Sequence, residues 1–337
     1  MINRFMHFDD YQTGMNGTTT PRTITECDII TFACLTGDYS QMHMDRHYAE
    51  NLSYGGRIAH GLLGSSLVIG GLSTCAPHVL GRDNPGAFLQ GFDVNYRDVF
   101  RMGDTFRTEW RITEKSSNPD VVGVHSLKTS IRVLNQDSNL VADGLITVTI
   151  ADSHANTEET VIRPLESWEL DQFVADRDMV YYAEDYTPDG QSGETESRTL
   201  TEADIVNFCG FTGDYSPQYV DAVFSGKALF GGRIVHPMLS FNIAFAYWLR
   251  EWLRLPMPDD GFAGHLSDSW IFLAPVKIGD TIHCKYKTVS TKTSRSKPGM
   301  GLVRFGLQVV NQRNEAVQEG SVLMMYPSRQ GAQDDSV

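Results

Sequence analysis

The strongest constraint on how this chain folds is that most of it is written twice. TGDYSQMHMD (Thr36 to Asp45) returns as TGDYSPQYVD (Thr212 to Asp221), an offset of 214 − 38 = 176 residues. The same offset places RTITECDIITFACLTGDYS (Arg22 to Ser40) on RTLTEADIVNFCGFTGDYS (Arg198 to Ser216) and YGGRIAHGLL (Tyr54 to Leu63) on FGGRIVHPML (Phe230 to Leu239). MGDT (Met102 to Thr105) falls on IGDT (Ile278 to Thr281) and VLNQ (Val133 to Gln136) on VVNQ (Val309 to Gln312), with no gap from Arg22 to about Ile150. A repeat of this length is a whole folding unit. The 337 residues are therefore expected to form two fused domains of near-identical fold, residues 1–152 and 178–328. A linker (153–177), polar near Asp152 to Thr160 and with a short helix over Glu166 to Arg177, should join them, and residues 329–337 should form a flexible tail.

Each repeat spells the same elements. Thr25-Glu-Cys-Asp28 and Thr201-Glu-Ala-Asp204 place a threonine three residues before an aspartate, ahead of an apolar-periodic run, as in a capping box with Asp in place of Glu. Gly37 and Gly213 should stop those helices. Gly61 to Cys75 and Pro237 to Glu251 are apolar on more than one face and predict buried helices. Thr105 to Ile112, Val122 to Leu134 and Leu140 to Ile150 alternate apolar and polar residues. So do Thr281 to Val289, Gly301 to Val310 and Ala316 to Tyr326, which makes all six candidate antiparallel strands. The parts predict an α+β fold, each half a sheet wrapped around one buried helix.

The formal charge of −14 argues against nucleic acid or an anionic membrane as partner, since both need a positive face. No apolar run reaches the roughly 20 residues of a bilayer span, and MINRFMHFDD lacks a signal-peptide core, so a cytoplasmic location is expected. Five cysteines (Cys27, Cys34, Cys75, Cys209, Cys284), without a CxxC pair, fit reduced thiols better than disulfides or a zinc site.

TGDYSQMHMD followed by GGRIAHGLL resembles the motif of the MaoC-like, (R)-specific enoyl-CoA hydratases, and the duplication resembles the double-hotdog members of that superfamily. The resemblance implies a tandem hotdog fold and reversible addition of water to a 2-enoyl-CoA, giving a 3-hydroxyacyl-CoA of the R epimer. By the same resemblance, Asp38 and His43 activate the water and Gly61 donates its backbone N–H to the thioester oxygen. No metal or redox cofactor is implied; coenzyme A enters as part of the substrate. The phrase has Ser40-Gln41 where the family usually has Asn-Pro. Some double-hotdog relatives act on branched dicarboxylic thioesters such as mesaconyl-CoA, which is the first rival substrate. Thioester hydrolysis and acyl-CoA binding without turnover are the rival classes.

The chemistry suits those residues. Hydration of a conjugated thioester needs a base for the water, an acid for the α-carbon and a donor for the enolate oxygen, and a carboxylate, an imidazole and a helix-start N–H supply them. In the second repeat His43 becomes Tyr219 and Gly61 becomes Pro237, which has no N–H, so the first repeat is expected to be the catalytic half. His60 and Arg57 recur as His236 and Arg233, which favours structural roles, but both stay candidate substrate contacts with Ser40. The basic run that includes Lys292, Arg295 and Lys297 is a candidate landing site for the phosphates of coenzyme A. The equivalent central helices differ: Gly64, Ser65, Ser66, Gly70 and Gly71 of the first are small, whereas Phe241, Phe245, Tyr247 and Trp248 of the second are bulky, and the bulk is expected to limit acyl depth and favour a short or branched acyl group. The expected partner is a small acyl-CoA, along with homo-oligomers of the internal pseudo-dimer.

Overall fold

The computed structural model describes residues 6–52, 54–152, 163–176, 178–256, 258 and 264–329. Each half holds one capped helix and one central helix: α1 (Glu26–Thr36) and α2 (Gly61–Cys75), then α3 (Glu202–Thr212) and α4 (Pro237–Trp252). The capping box forms as spelled. Thr25 Oγ1 accepts from the Asp28 N–H at 3.2 Å, and the Asp28 carboxylate accepts from the Thr25 N–H at 2.8 Å. Gly37 and Gly213 close α1 and α3 in the left-handed region, at φ 87° and 81°, where a side chain would be strained.

The long strands are β1 (Ala87–Tyr96), β2 (Thr105–Ser117), β3 (Val124–Leu134) and β4 (Leu140–Ala151), then β5 (Gly264–Phe272), β6 (Thr281–Thr293), β7 (Met300–Asn311) and β8 (Glu315–Pro327). They pair in the order β2-β3-β4-β1-β5-β8-β7-β6, all antiparallel, in one continuous sheet. The halves thus meet at β1 and β5, where Phe92 lies opposite Trp270 and Val94 opposite Asp268. A β-bulge interrupts β1 between Leu89 and Gly91 and β5 between His265 and Ser267, so the 176-residue offset holds in three dimensions as well.

The central helices are buried in the curve of the sheet, with Trp248, Phe241 and Trp270 among the largest fully buried side chains. Helix α2 also crosses to the other repeat: a Cβ on Gly70 would lie 1.9 Å from the Thr212 carbonyl oxygen, an approach only glycine permits. Arg22 donates to the Phe211 carbonyl at 3.1 Å and Arg198 to the Leu35 carbonyl at 2.8 Å, a reciprocal clamp between the repeats. Among the described residues no helix is long and apolar enough to cross a membrane.

The helix expected over Glu166 to Arg177 does not form. Leu165–Glu166 is a short strand against β8, and 167–176 is irregular. The backbone here is satisfied by the sheet instead of by itself: the Trp168 N–H donates to Gln308 Oε1 at 2.8 Å and the Phe173 N–H to the Ser192 carbonyl at 2.7 Å. The Trp168 ring meanwhile receives Lys287 Nζ at 5.0 Å. Residues 153–162 of the expected polar linker, and 330–337 of the expected tail, lie outside the described residues, as does Arg177. Arg329 is described, and it pairs with Asp185 at 2.6 Å.

Candidate active site

Asp38 stands directly after the glycine that ends α1. Its N–H donates to Thr36 Oγ1 at 3.2 Å, and its Oδ1 accepts from the Ser40 N–H at 3.1 Å and from the Ser40 hydroxyl. His43 follows on a single helical turn, Gln41–Met44, with Nδ1 at 2.8 Å from the Ile58 carbonyl. A carbonyl only accepts, so Nδ1 carries the proton and Nε2 keeps the lone pair. His60 is bonded through Nε2 to the Asp38 carbonyl at 3.1 Å, which pins the Asp38 loop to the start of α2. The two imidazoles are in contact at a tilt, with centroids 3.8 Å apart and ring planes 36° from parallel. Asp38, His43 and His60 are 4%, 7% and 2% exposed.

Burial dominates the electrostatics of this trio. It pushes His43 below its usual 6.5, against the pull of Asp38, and pushes His60 down to about 3. Burial also works to raise the Asp38 carboxyl, but His60, His43 and the two Ser40 hydrogen bonds outweigh it and hold the group below its ordinary value. The resting site is thus a carboxylate beside neutral imidazoles. Asp38 Oδ2 is 3.9 Å from His60 Nε2 and turned away from the Ser40 bonds.

These residues open on a cavity of about 260 Å³ whose walls come from both repeats. Ser40, Gly61, Leu62, Tyr96 and Phe100 belong to the first, and Phe245, Leu249, His265, Lys297, Met324 and Met325 to the second. Gly61 begins α2 at the cavity wall, and the His60 side chain does not cap that end. The first-turn N–H groups of a helix have no intrahelical partner, and the helix dipole makes this end positive, so an oxyanion is favoured there.

The expected site residues divide into two groups. Asp38, His43, Gly61, Ser40, His60 and Lys297 line the cavity, as does Phe245 of the bulky helix. Lys292, Arg295 and Arg57 are not among the lining residues. Arg57 pairs with Glu26 at 2.5 Å, as its counterpart Arg233 does with Glu202 at 2.7 Å, so the guanidinium ties the loop to α1. Sequence reasoning missed Tyr96, His265 and Asp268, which adjoin one another beside Gly61. Asp38, His43 and His60 each offer a ligand atom, all within 4.8 Å of one another, a spacing that can bracket a water and could also hold a metal ion.

The equivalent place in the second repeat is closed. Asp214 Oδ1 accepts from the Ser73 hydroxyl at 2.6 Å and from the Ser216 N–H at 3.0 Å, while Oδ2 lies 3.1 Å from His236 Nε2. His236 Nδ1 then accepts the Met238 N–H at 3.1 Å and caps α4. Tyr219 is held well above its usual 10.0 by burial and by Asp214, so it stays a phenol. Ser73, which fills this site from the other repeat, has Leu249 as its counterpart at the open one (73 + 176 = 249).

A family model described as MaoC like domain matches residues 11–132 and again 185–310. The chain is 32% identical over 155 residues to an (R)-specific enoyl-CoA hydratase of Rhodospirillum rubrum, covering 46% of this chain and 98% of that protein. It is 31% identical over 111 residues to a 3-hydroxybutyryl-CoA dehydratase of Methylorubrum extorquens, 33% of this chain and 66% of that one. It is also 36% identical over 117 residues to Protein MaoC of Klebsiella aerogenes, 34% of this chain, and spans only 33% of that protein. Among solved structures, a MaoC domain protein of Chloroflexus aurantiacus aligns with a TM-score of 0.75 at 18% identity, over 97% of this chain and 99% of that one. A Mycobacterium tuberculosis protein described as having a double hotdog fold aligns with a TM-score of 0.69 at 13% identity, over 95% and 98%. The fold is a double hotdog.

Proposed function

The chain belongs to the MaoC-like family, and from that premise we propose that its first repeat catalyses reversible hydration of a 2-enoyl-CoA to the (R)-3-hydroxyacyl-CoA. One observation carries the reading. The carboxylate, the imidazole and the uncapped helix start face one cavity in the first repeat, whereas in the second the equivalent carboxylate and helix end are spent on protein partners. Asp38 Oδ2 and His43 Nε2 bracket a water. As the water oxygen bonds to C3, the π electrons shift toward the thioester and its oxygen accepts from the Gly61 N–H. His43 takes the water proton and delivers it to C2, so that one water is added and both residues end as they began. Lys297, exposed at the cavity, meets a phosphate of coenzyme A, and Phe245 and Leu249 set the depth of the acyl end.

Loss of conjugated-thioester absorbance on mixing with crotonyl-CoA tests this directly. The unmodified protein and Asp214→Asn should turn over, while Asp38→Asn and His43→Gln should fall by about a hundredfold or more. A chelator should leave the rate in place. If all four proteins are inert on crotonyl-CoA, mesaconyl-CoA and a longer enoyl-CoA, the hydratase reading fails. Release of free thiol from an acyl-CoA would instead identify a thioesterase.

A further inference from the structure

The cavity holds a second polar group outside the repeated motif. His265 lines the cavity from β5, and its Nε2 lies 2.7 Å from Asp268 Oδ1. Asp268 Oδ2 accepts from the Tyr96 hydroxyl at 3.0 Å, and Ser65 Oγ lies 2.9 Å from that same hydroxyl. The Tyr96 ring backs onto the helix start, since a Cβ on Gly61 would lie 3.0 Å from it. His265 stacks on Phe245 with centroids 5.0 Å apart. The cluster therefore lies beside the helix start to which the hydratase reading assigns the thioester oxygen.

Its counterparts in the closed half have none of this polarity. Subtracting or adding 176 turns Ser65 into Phe241, Tyr96 into Phe272, His265 into Leu89 and Asp268 into Phe92. All four replacements are buried hydrophobes, and the shared bulge at Leu89 and His265 shows that the positions correspond in space. Hydrophobic residues thus satisfy the fold at these positions, and burying Asp268 at 2% exposure costs desolvation that an apolar set avoids. A hydrocarbon chain would gain nothing from an imidazole in its path.

We propose that His265, braced by Asp268, is a specificity-determining residue that selects 2-enoyl thioesters whose acyl group carries an oxygen beyond C3 in place of a bare alkyl end. This rests on the hydratase reading above. Asp268 holds Nε2, which leaves Nδ1 for the ligand. It accepts from a hydroxyl, or, as an imidazolium whose charge Asp268 balances, it donates to a carboxylate.

Three thioesters with one four-carbon skeleton distinguish the cases: crotonyl-CoA, 4-hydroxycrotonyl-CoA and fumaryl-CoA. The unmodified protein should show kcat/KM at least about tenfold higher for one oxygen-bearing substrate than for crotonyl-CoA, and which one identifies hydroxyl or carboxylate. That ratio should fall by about tenfold or more in His265→Leu and by less in His265→Gln, which keeps a hydrogen-bonding group. The inference is overturned if crotonyl-CoA matches or exceeds both oxygenated substrates in the unmodified protein, or if the ratio survives His265→Leu. Turnover of crotonyl-CoA without discrimination removes this inference alone; failure on all three overturns it as well, and failure on mesaconyl-CoA and a longer enoyl-CoA besides removes the hydratase reading with it.

Discussion

Asp38 and His43 are buried side by side, yet their shifts have different causes. Burial works to raise the carboxyl, but pairing with His60 and His43 when these are charged, and the Ser40 hydrogen bonds, bring it down; in the imidazole, burial itself is the larger effect and lowers it. Both shifts run downward, which fixes the sign of the pH response. The base form of His43 persists as pH falls through the usual 6.5, and Asp38 stays ionised below its ordinary range, so the acid limb of kcat/KM for hydration should lie below pH 6.5. A profile measured on crotonyl-CoA from about pH 8 to about pH 5 checks this. A limb centred at or above 6.5 would mean that His43 is not the group that takes the proton. These two residues were legible in the sequence because the family phrase carries both within six positions, and its altered copy showed which could change. His265 and Asp268 were not, because they belong to no motif and acquire meaning only when β5 is seen to pass beside α2.

At the scale of elements, the proposed mechanism leans most on the start of α2. Gly61 and Pro237 occupy the same position, and a helix tolerates either at its first residue. Only the glycine offers an N–H to the cavity. Gly61→Ala and Gly61→Pro both place a Cβ about 3.0 Å from the Tyr96 ring, so comparing the two separates crowding from loss of the donor. Gly61→Pro should lower kcat by about a hundredfold or more relative to Gly61→Ala, measured on crotonyl-CoA. Equal rates would remove the N–H from the mechanism. The capped helices, the central helices and the six outer strands could be read from caps and alternation. The central pair β1 and β5 could not: AFLQGFDVNY is buried on both faces for much of its length and so lacks the period of two, and β5 alternates in burial but turns Asp268 inward and Ile271 outward, which breaks the apolar pattern. The reverse error fell on Glu166 to Arg177, where a helix was expected but the Trp168 and Phe173 N–H groups are bonded to the sheet and its neighbouring strand.

The whole molecule is a pseudo-symmetric dimer within one chain, and fusion has let its two sites diverge in opposite directions. Each site draws on both repeats, so change at one cannot be confined to one half. Ser73 of α2 adds a donor to Asp214 Oδ1 where the first site has Leu249 of α4, and His236 holds Asp214 Oδ2 at 3.1 Å, whereas His60 bonds the Asp38 carbonyl and stays 3.9 Å from Oδ2. Restoring the two altered motif residues should therefore not restore function. In an Asp38→Asn background, Tyr219→His with Pro237→Gly supplies an imidazole and an N–H. Asp214 would still be bound by Ser73, Ser216 and His236, and His236 would still cap α4 through the Met238 N–H. The floor of that site would still be Phe241, Phe272, Leu89 and Phe92. Crotonyl-CoA hydration by the triple variant should stay at the level of Asp38→Asn alone, within about threefold. A rise of about a hundredfold or more would show instead that the motif suffices and that the closure by Ser73 is incidental. The proposed difference between the halves would then rest on two substitutions instead of on contacts spread over both repeats.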